Sequence, residues 1–414
     1  MKRLAACLAL LVAVAGCGTG KPATQQPGEE PSGNIRMVTP IFEGADGQKA
    51  LEELLVKFKA KYPKVTVEVD YTNYSKLNEK LTTSIASGRP YDVMLMGVGW
   101  IPPFAAKGVL APLDFPTDAY NKRVMDGGVF QGKTYALPIM LDTRYGIYRK
   151  DLFAEAGLTE PPKNFAEMRD YAKRLTKRDG AGKLTRAGLD ILSNDLRQTY
   201  ETVLWANGGD LFTTDGKVAF NSAKAVEALQ FMTDVVVTDK SIDFGYTQPG
   251  AATGIPLVQG RAAMMIGHNN VWLEVMKEPG LADKIGFFVI KNERPAMFQG
   301  GTLGTVSAKT QSPAAAKALV QFLAEADAAL VANQQRGNVP AHKALESSGY
   351  VKGNPAVLFA MQNLDAAFSE GGVPAWLDVR GEFKSTIESA LLGKATPKQA
   401  LDALATKAEQ AMAR

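Results

Sequence analysis

The chain has 414 residues, of which 46% are hydrophobic, 22% charged and 8% aromatic, and its 47 Lys and Arg against 43 Asp and Glu give a formal net charge of +4. This is ordinary globular composition, long enough for two or three core-sized units, and two lobes are expected. Charges of both signs are interspersed, and losing Lys2 and Arg3 with a cleaved leader would bring the balance nearer zero, which argues against nucleic acid as a ligand.

The first element is a leader. Lys2 and Arg3 precede an apolar run, Leu4 to Ala13, and Val14-Ala15-Gly16-Cys17 closes it. Those proportions are secretory, the run is too short to span a bilayer, and the pattern looks like a bacterial lipoprotein signal. Residues 1–16 are therefore expected to be removed, leaving Cys17 as the acylated first residue, tethered to the outer face of the plasma membrane or to the periplasm rather than spanning it. Cys7 would be lost on cleavage, so no intrachain disulfide is possible and stability must come from burial. Residues 17–33 carry no aromatic side chain and read as a lipid-anchored flexible linker.

The folded body begins with the strand-like run Ile35–Ile41. Helix Gln48–Lys61 follows, its Leu51, Leu54, Leu55 and Phe58 recurring at the spacing of one buried face. Val65–Val69 reads as a strand, Tyr74–Ser87 as a helix, and Asp92–Met96 as an apolar strand ending in Gly97-Val98-Gly99-Trp100. Further on, Tyr135–Pro138 is extended, Arg144–Tyr148 is another strand, Lys150–Phe153 opens a helix, and Phe165–Leu175 is a helix after Pro161-Pro162. Strands alternating with amphipathic helices predict an α/β architecture, in which loops at the carboxyl ends of strands line ligand crevices.

Several stretches together resemble the extracellular solute-binding proteins of ABC importers, in the large sugar-binding group that includes maltose-binding proteins. They are Tyr91–Asp114, Tyr135–Met168, Ala206–Phe212, Val258–Gly267, Gly300–Leu323 and Leu391–Asp402, in the order the family uses and over nearly the whole mature chain. The resemblance implies the two-lobe periplasmic-binding-protein (Venus flytrap) fold, with hinge strands and a ligand cleft between lobes. Crossings are expected near Leu141–Thr143, Gln299–Gly301 and Gly337–Pro340. These make residues 34–141 plus 301–338 the first lobe and 142–300 plus 339–414 the second. The implied partners are a small sugar, mono- to oligosaccharide, and the transmembrane subunits of a permease, with the binding protein itself a monomer.

A sugar offers hydroxyls that donate and accept, and apolar C–H faces; carboxylates, amides and Arg satisfy the former and aromatic rings cover the latter. Matched to family positions, the expected ligand contacts are Phe42 and Glu43 after the first strand, Trp100, and the acidic Asp142 with neighbouring Arg144. Arg197, Gln198 and Tyr200 are expected to face the cleft from the second lobe, whereas Trp205 reads as core. Where sugar binders often place a Pro-Trp pair, this chain has His268-Asn269-Asn270 with Trp272 slightly later, so the stacking platform is either shifted to Trp272 or replaced by the amides of Asn269 and Asn270. Gly300, Gly301 and Thr302 would bring backbone close to a ligand, and Trp376 and Arg380, four apart, would share a helix face.

Arg380, with Arg144 and Arg197, also fits a rival ligand of the same fold, glycerol-3-phosphate or a glycerophosphodiester. An extracytoplasmic glycoside hydrolase is the alternative of another class. The chain has no HExxH or GxSxG motif, and its two histidines give no metal-binding cluster, so neither an enzyme nor a cofactor is expected.

Overall fold

Apolar runs of five to seven residues, each followed by a helix with one buried stripe, pack here as a sheet covered by helices. The computed structural model describes residues 30–247 and 254–413. The leader 1–16, Cys17 and the linker up to residue 29 lie outside the described residues.

The principal strands are β1 (Gly33–Thr39), β2 (Val65–Tyr71), β3 (Val93–Gly97), β4 (Ala136–Arg149), β5 (Leu184–Asp190), β6 (Ala262–His268), β7 (Ile285–Phe288), β8 (Pro295–Val306) and β9 (Ala367–Ser369). The helices that matter below are α1 (Gly44–Lys61), α2 (Tyr74–Ala86), α3 (Phe165–Leu175), α4 (Leu196–Ala206), α5 (Ala326–Arg336), α6 (Trp376–Val379) and α7 (Glu382–Leu391). The sheet runs β2-β1-β3-β8-β4-β6-β5, with β7 added to β4 and β9 to β8. The β1–β2, β1–β3 and β5–β6 pairs are parallel, and β3, β8, β4 and β6 pair antiparallel between them.

Local sequence explains most element boundaries. Asn73 caps α2 by accepting the Lys76 amide, Asn164 caps α3 by accepting that of Glu167, and Asp195 caps α4 by accepting those of Arg197 and Gln198. Two boundaries differ from the sequence reading. Helix α1 starts at Gly44, a turn before the apolar stripe, because the chain reverses directly after β1 and the first turn has no core to face. The two short extended stretches at Tyr135–Pro138 and Arg144–Tyr148 are one strand, β4, of 14 residues. Pro138 interrupts the pattern, yet it sits where the β8 register shifts between Thr302 and Leu303, a position that tolerates its missing N–H.

Strands β4 and β8 are shared by the two lobes. At one end they lie beside β3 and at the other beside β6 and β9. The three segments expected to cross are side by side: Gly301 pairs with Leu141, and Leu141 exchanges both backbone hydrogen bonds with Val339. One core gathers Phe153, Tyr200, Trp205, Phe220, Trp376 and Phe383; another gathers α1 with Leu95, Leu319 and Val320 and runs on across the crossing strands to Tyr145 and Trp272. Trp205 stacks between Phe298 and Phe368, with ring centroids 6.1 and 5.5 Å away, as a core aromatic does.

Gly301 has φ +135°, and a Cβ there would drive into the Met140 carbonyl and sit 2.8 Å from Leu141 Cα. Gly301→Ala is therefore expected to destabilise the protein by at least about 1–3 kcal/mol from backbone strain alone, before the steric clash is counted. Urea unfolding of the two proteins measures this, and an unchanged midpoint would mean that the crossing strands shift freely.

Candidate functional site

Period-two alternation along β4 sends Met140, Asp142 and Arg144 to one face of the sheet and Leu141, Thr143 and Tyr145 to the other. The first face is the floor of a cavity of about 560 Å³. Opposite Asp142 on β8 is Gly300, where a Cβ would collide with Asp142 Oδ1; the missing side chain is what leaves room for the carboxylate. Phe298 of β8 and His268 of β6 complete the floor. One wall is Tyr74, Gly97, Val98 and Trp100, from the ends of β2 and β3, and the other is Gln198, Asn270, Glu370 and Arg380, with Arg336 and Asn338 at the end of α5.

Electrostatics tie the floor together. Asp142 Oδ2 lies 3.7 Å from Arg144 Nη1 and 3.4 Å from His268 Nε2. His268 Nδ1 accepts the Asn270 amide at 2.9 Å, which places the ring proton on Nε2, toward Asp142. Burial works against the charge of Asp142, but Arg144 and His268 outweigh it and hold its pKa well below the carboxylate range. Burial, with the Arg144 cation, pushes the His268 imidazole down to about 4 against the opposing pull of Asp142. Arg144 also donates to Gln198 Oε1 at 2.6 Å, so both of its polar neighbours line the cavity while it stays behind them.

A second ionic cluster backs the far wall. Arg197, 4% exposed, donates to both oxygens of Glu201 at 2.9 and 3.0 Å and to Glu370 Oε2. Arg380 Nη2 stands 3.7 Å from Glu370 Oε1. Burial of Arg197 opposes its charge, but Glu201, Glu370 and Asp195 together raise its pKa above the ordinary guanidinium range. Glu201 is pushed up to about 8 by burial and by the Glu370 carboxylate, against the Arg197 cation.

Of the residues singled out in the sequence, Trp100, Asp142, Gln198, Asn270, Gly301 and Arg380 come together around this cavity. The Trp100 and Tyr74 rings meet nearly at right angles with centroids 6.3 Å apart, and the Arg380 guanidinium lies 6.0 Å from the Trp100 ring centroid. The remainder lie elsewhere. Phe42 is buried in the first-lobe core, and Glu43 is half-exposed and paired with Arg336 at 3.7 Å. Tyr200 is in the second-lobe core, where its hydroxyl donates to the carbonyls of Phe220 and Ala225. Asn269 spends its amide on backbone, accepting from Thr143 and donating to the Gly337 carbonyl, and so fastens two crossing segments. Trp272 packs on Phe287, and Thr302 is buried with its hydroxyl on that of Tyr74. Trp376 and Arg380 are one helical turn apart, the Arg380 amide donating to the Trp376 carbonyl at 2.9 Å, but Trp376 is fully buried against Phe212 and Phe383, and of the two only Arg380 lines the cavity.

Residues missed by sequence reasoning are Tyr74, His268, Phe298, Arg336, Asn338 and Glu370. Tyr74 opens the helix after β2, at the carboxyl end of a strand, where crevice residues are expected. Arg336 and Asn338 flank Gly337 at an anticipated crossing. Nothing local marks Glu370, which reaches the cavity because β9 pairs with β8.

A polar cavity floored by strands shared between two lobes, and walled by both, defines a two-lobe binding protein that holds a small solute between its halves. Residues 43–330 match the family of bacterial extracellular solute-binding proteins, and the chain belongs to that family. It is 27% identical to a binding protein of Brucella abortus, over 91% of this chain and 93% of that one. It is 24% identical to the diacetylchitobiose-binding protein of Streptomyces coelicolor, over 93% and 92%. The sugar-binding protein MalE of Xanthomonas citri has the same fold, with TM-score 0.80 at 20% identity over 92% of this chain and 98% of that one. Among the described residues no helix is long and apolar enough to cross a membrane, and no group of three or more His, Cys, Asp and Glu could hold a metal ion.

The depressed His268 pKa makes a stability prediction. Between about pH 6.5 and 4 the unfolded imidazole takes up a proton that the folded one refuses, so stability present above pH 6.5 is lost as the pH falls toward 4. Unfolding at pH 7 and pH 4.5 should differ by roughly 2–3 kcal/mol more in the wild type than in His268→Gln. An equal pH dependence in both would remove His268 from the acid response.

Proposed function

We propose that the protein captures a carbohydrate, mono- to oligosaccharide, between its lobes and delivers it to the permease subunits of an ABC importer, without chemistry on the ligand. The lobes divide at the three crossing segments and close on the ligand as a monomeric flytrap. A lipid on Cys17 anchors the protein at the extracytoplasmic face of the membrane.

One observation carries the carbohydrate reading. Asp142 lines the cavity floor with its carboxylate a quarter exposed, and its Oδ1 accepts no hydrogen bond among the described residues. A lone carboxylate oxygen of this kind calls for a donor, and a buried acceptor left empty costs about 1–3 kcal/mol or more. A sugar hydroxyl supplies the donor, while the Trp100 ring at the wall suits its C–H faces. The relative from Streptomyces coelicolor, named for a disaccharide, supports the same class. A phosphodiester is less well served. Asp142 and Glu370 would both repel it, Arg197 is spent on Glu201 and Glu370, and Arg144 on Asp142 and Gln198. Arg336 and Arg380 remain, each already near a carboxylate.

A thermal-shift screen of mono-, di- and trisaccharides alongside glycerol-3-phosphate and glycerophosphocholine tests the reading. A saccharide at 100 times its Kd should add about 2.7 kcal/mol of stability. Asp142→Ala and Arg380→Ala should each weaken its binding by roughly 1.5–3 kcal/mol, with little dependence on salt. Tight, salt-sensitive binding of glycerophosphocholine and of no saccharide would sink the carbohydrate reading. For the anchor, Cys17→Ser should move the protein from the membrane fraction to the soluble one; a variant that still sediments in a detergent-sensitive way would refute acylation at Cys17.

A further inference from the structure

Helix α6 is four residues long, and its side chains go to two different apolar clusters. Trp376 and Val379 are buried in the core of Tyr200 and Phe383. Leu377 turns away from that core and packs against a third cluster, which holds Val98, Trp100, Ile101 and Phe104, the residues that follow β3. Successive positions on a helix are turned by about 100°, so one short helix can serve both. Leu377 is half-buried, and it is not among the residues that line the cavity.

The backbone on each side is shaped for close approach. A Cβ on Gly99 would lie 2.7 Å from Trp376 Nε1 and 2.8 Å from Glu370 Cγ, and a Cβ on Gly371 would lie 3.0 Å from Gly99 Cα. Gly371 and Gly372 have φ of +95° and +98°, which glycine adopts readily and which turns the chain from β9 into this contact. The contact adjoins the cavity without being part of its lining: Val98 and Trp100 flank Gly99, Glu370 precedes Gly371, and Arg380 ends the segment. Seating Leu377 removes apolar surface from water and sets the Arg380 guanidinium 6.0 Å from the Trp100 ring centroid.

We propose that Leu377 is a positioning residue and that, with the Gly99–Gly371 contact, it forms a clasp between the lobes. The lobe that carries α6 seats Leu377 in the apolar cluster of the other and so brings Arg380 to Trp100 across the cleft. The inference rests on the division into two lobes at the crossing segments and is independent of the ligand class. A clasp made of the protein's own groups favours the closed form equally for every ligand, because apparent affinity is scaled by the fraction of protein that is binding-competent. A residue that touches the ligand changes the ranking of ligands instead.

Small-angle scattering of the chain without ligand, and calorimetry with maltose, diacetylchitobiose, galactobiose and glycerophosphocholine, test this. Leu377→Asp puts a charge against the apolar cluster, and Gly99→Ala puts a methyl group where Trp376 and Glu370 approach. Each should give a larger radius of gyration than the wild type in the same buffer. Leu377→Ala should weaken every probe that binds by one common factor, about three- to tenfold, and Leu377→Met should recover most of the loss. Leu377 is half-buried, so its truncation empties no core and the urea midpoint should stay close to that of the wild type. Equal radii in the wild type and both variants overturn the clasp. So does Leu377→Ala binding every probe as the wild type does, or losing affinity unequally among them, which would make Leu377 a ligand contact. Where no probe binds, the carbohydrate reading falls and the radii alone decide the clasp.

Discussion

The pairing of Asp142 with Gly300 across β4 and β8 is the contact on which the site depends. A carboxylate can stand on the floor of the cleft only if the residue opposite has no side chain, and Gly300 leaves that space. The next residue, Gly301, adopts a backbone conformation that side chains disfavour and brings β8 against Leu141 more closely than a Cβ permits. The two glycines thus do different work. One makes space for charge, and the other lets the strands that join the lobes approach each other.

Charge at such a site has to be held by something. Asp142 is set between Arg144 and the Nε2 proton of His268, and Arg144 is itself fixed by Gln198. Across the cleft, Glu370 is backed by Arg197 and faced by Arg380. Each carboxylate that lines the cavity therefore has a cation behind or beside it, so the polar wall is held by the protein's own groups. Preorganised hydrogen-bonding groups of this kind lower the ordering cost of binding. Breaking one member leaves its partner as an uncompensated buried charge, which is why these clusters act as units rather than as separate contacts.

Part of the site was legible from local pattern. Trp100 and Gly97 follow an apolar strand directly, and Asp142 interrupts an apolar one; both are signals a single strand carries. Tyr200, Trp376, Trp272 and Phe42 carry equally strong local signals, being aromatic side chains near candidate loops, yet each points into a core. An aromatic ring buries where there is space for it, and the sequence near it does not say on which side of the backbone that space lies. Asn269 and Asn270 make the same point with adjacent residues: one amide fastens Thr143 to Gly337, and the other faces the cavity.

Strand and helix order, the α/β class and the family were all determined by sequence, because apolar periodicity, capping residues and glycine positions act over a few residues. Tertiary structure alone decided that β4 is one strand, that Glu370 reaches the cleft through the pairing of β9 with β8, and that His268 stands against Asp142 rather than in solvent. It also decided that Arg197 lies behind the wall and not on it. These outcomes depend on which strands become neighbours and which face each turns inward, and they are set by contacts between residues far apart in the chain, such as Asp142 with His268 and Arg197 with Glu370.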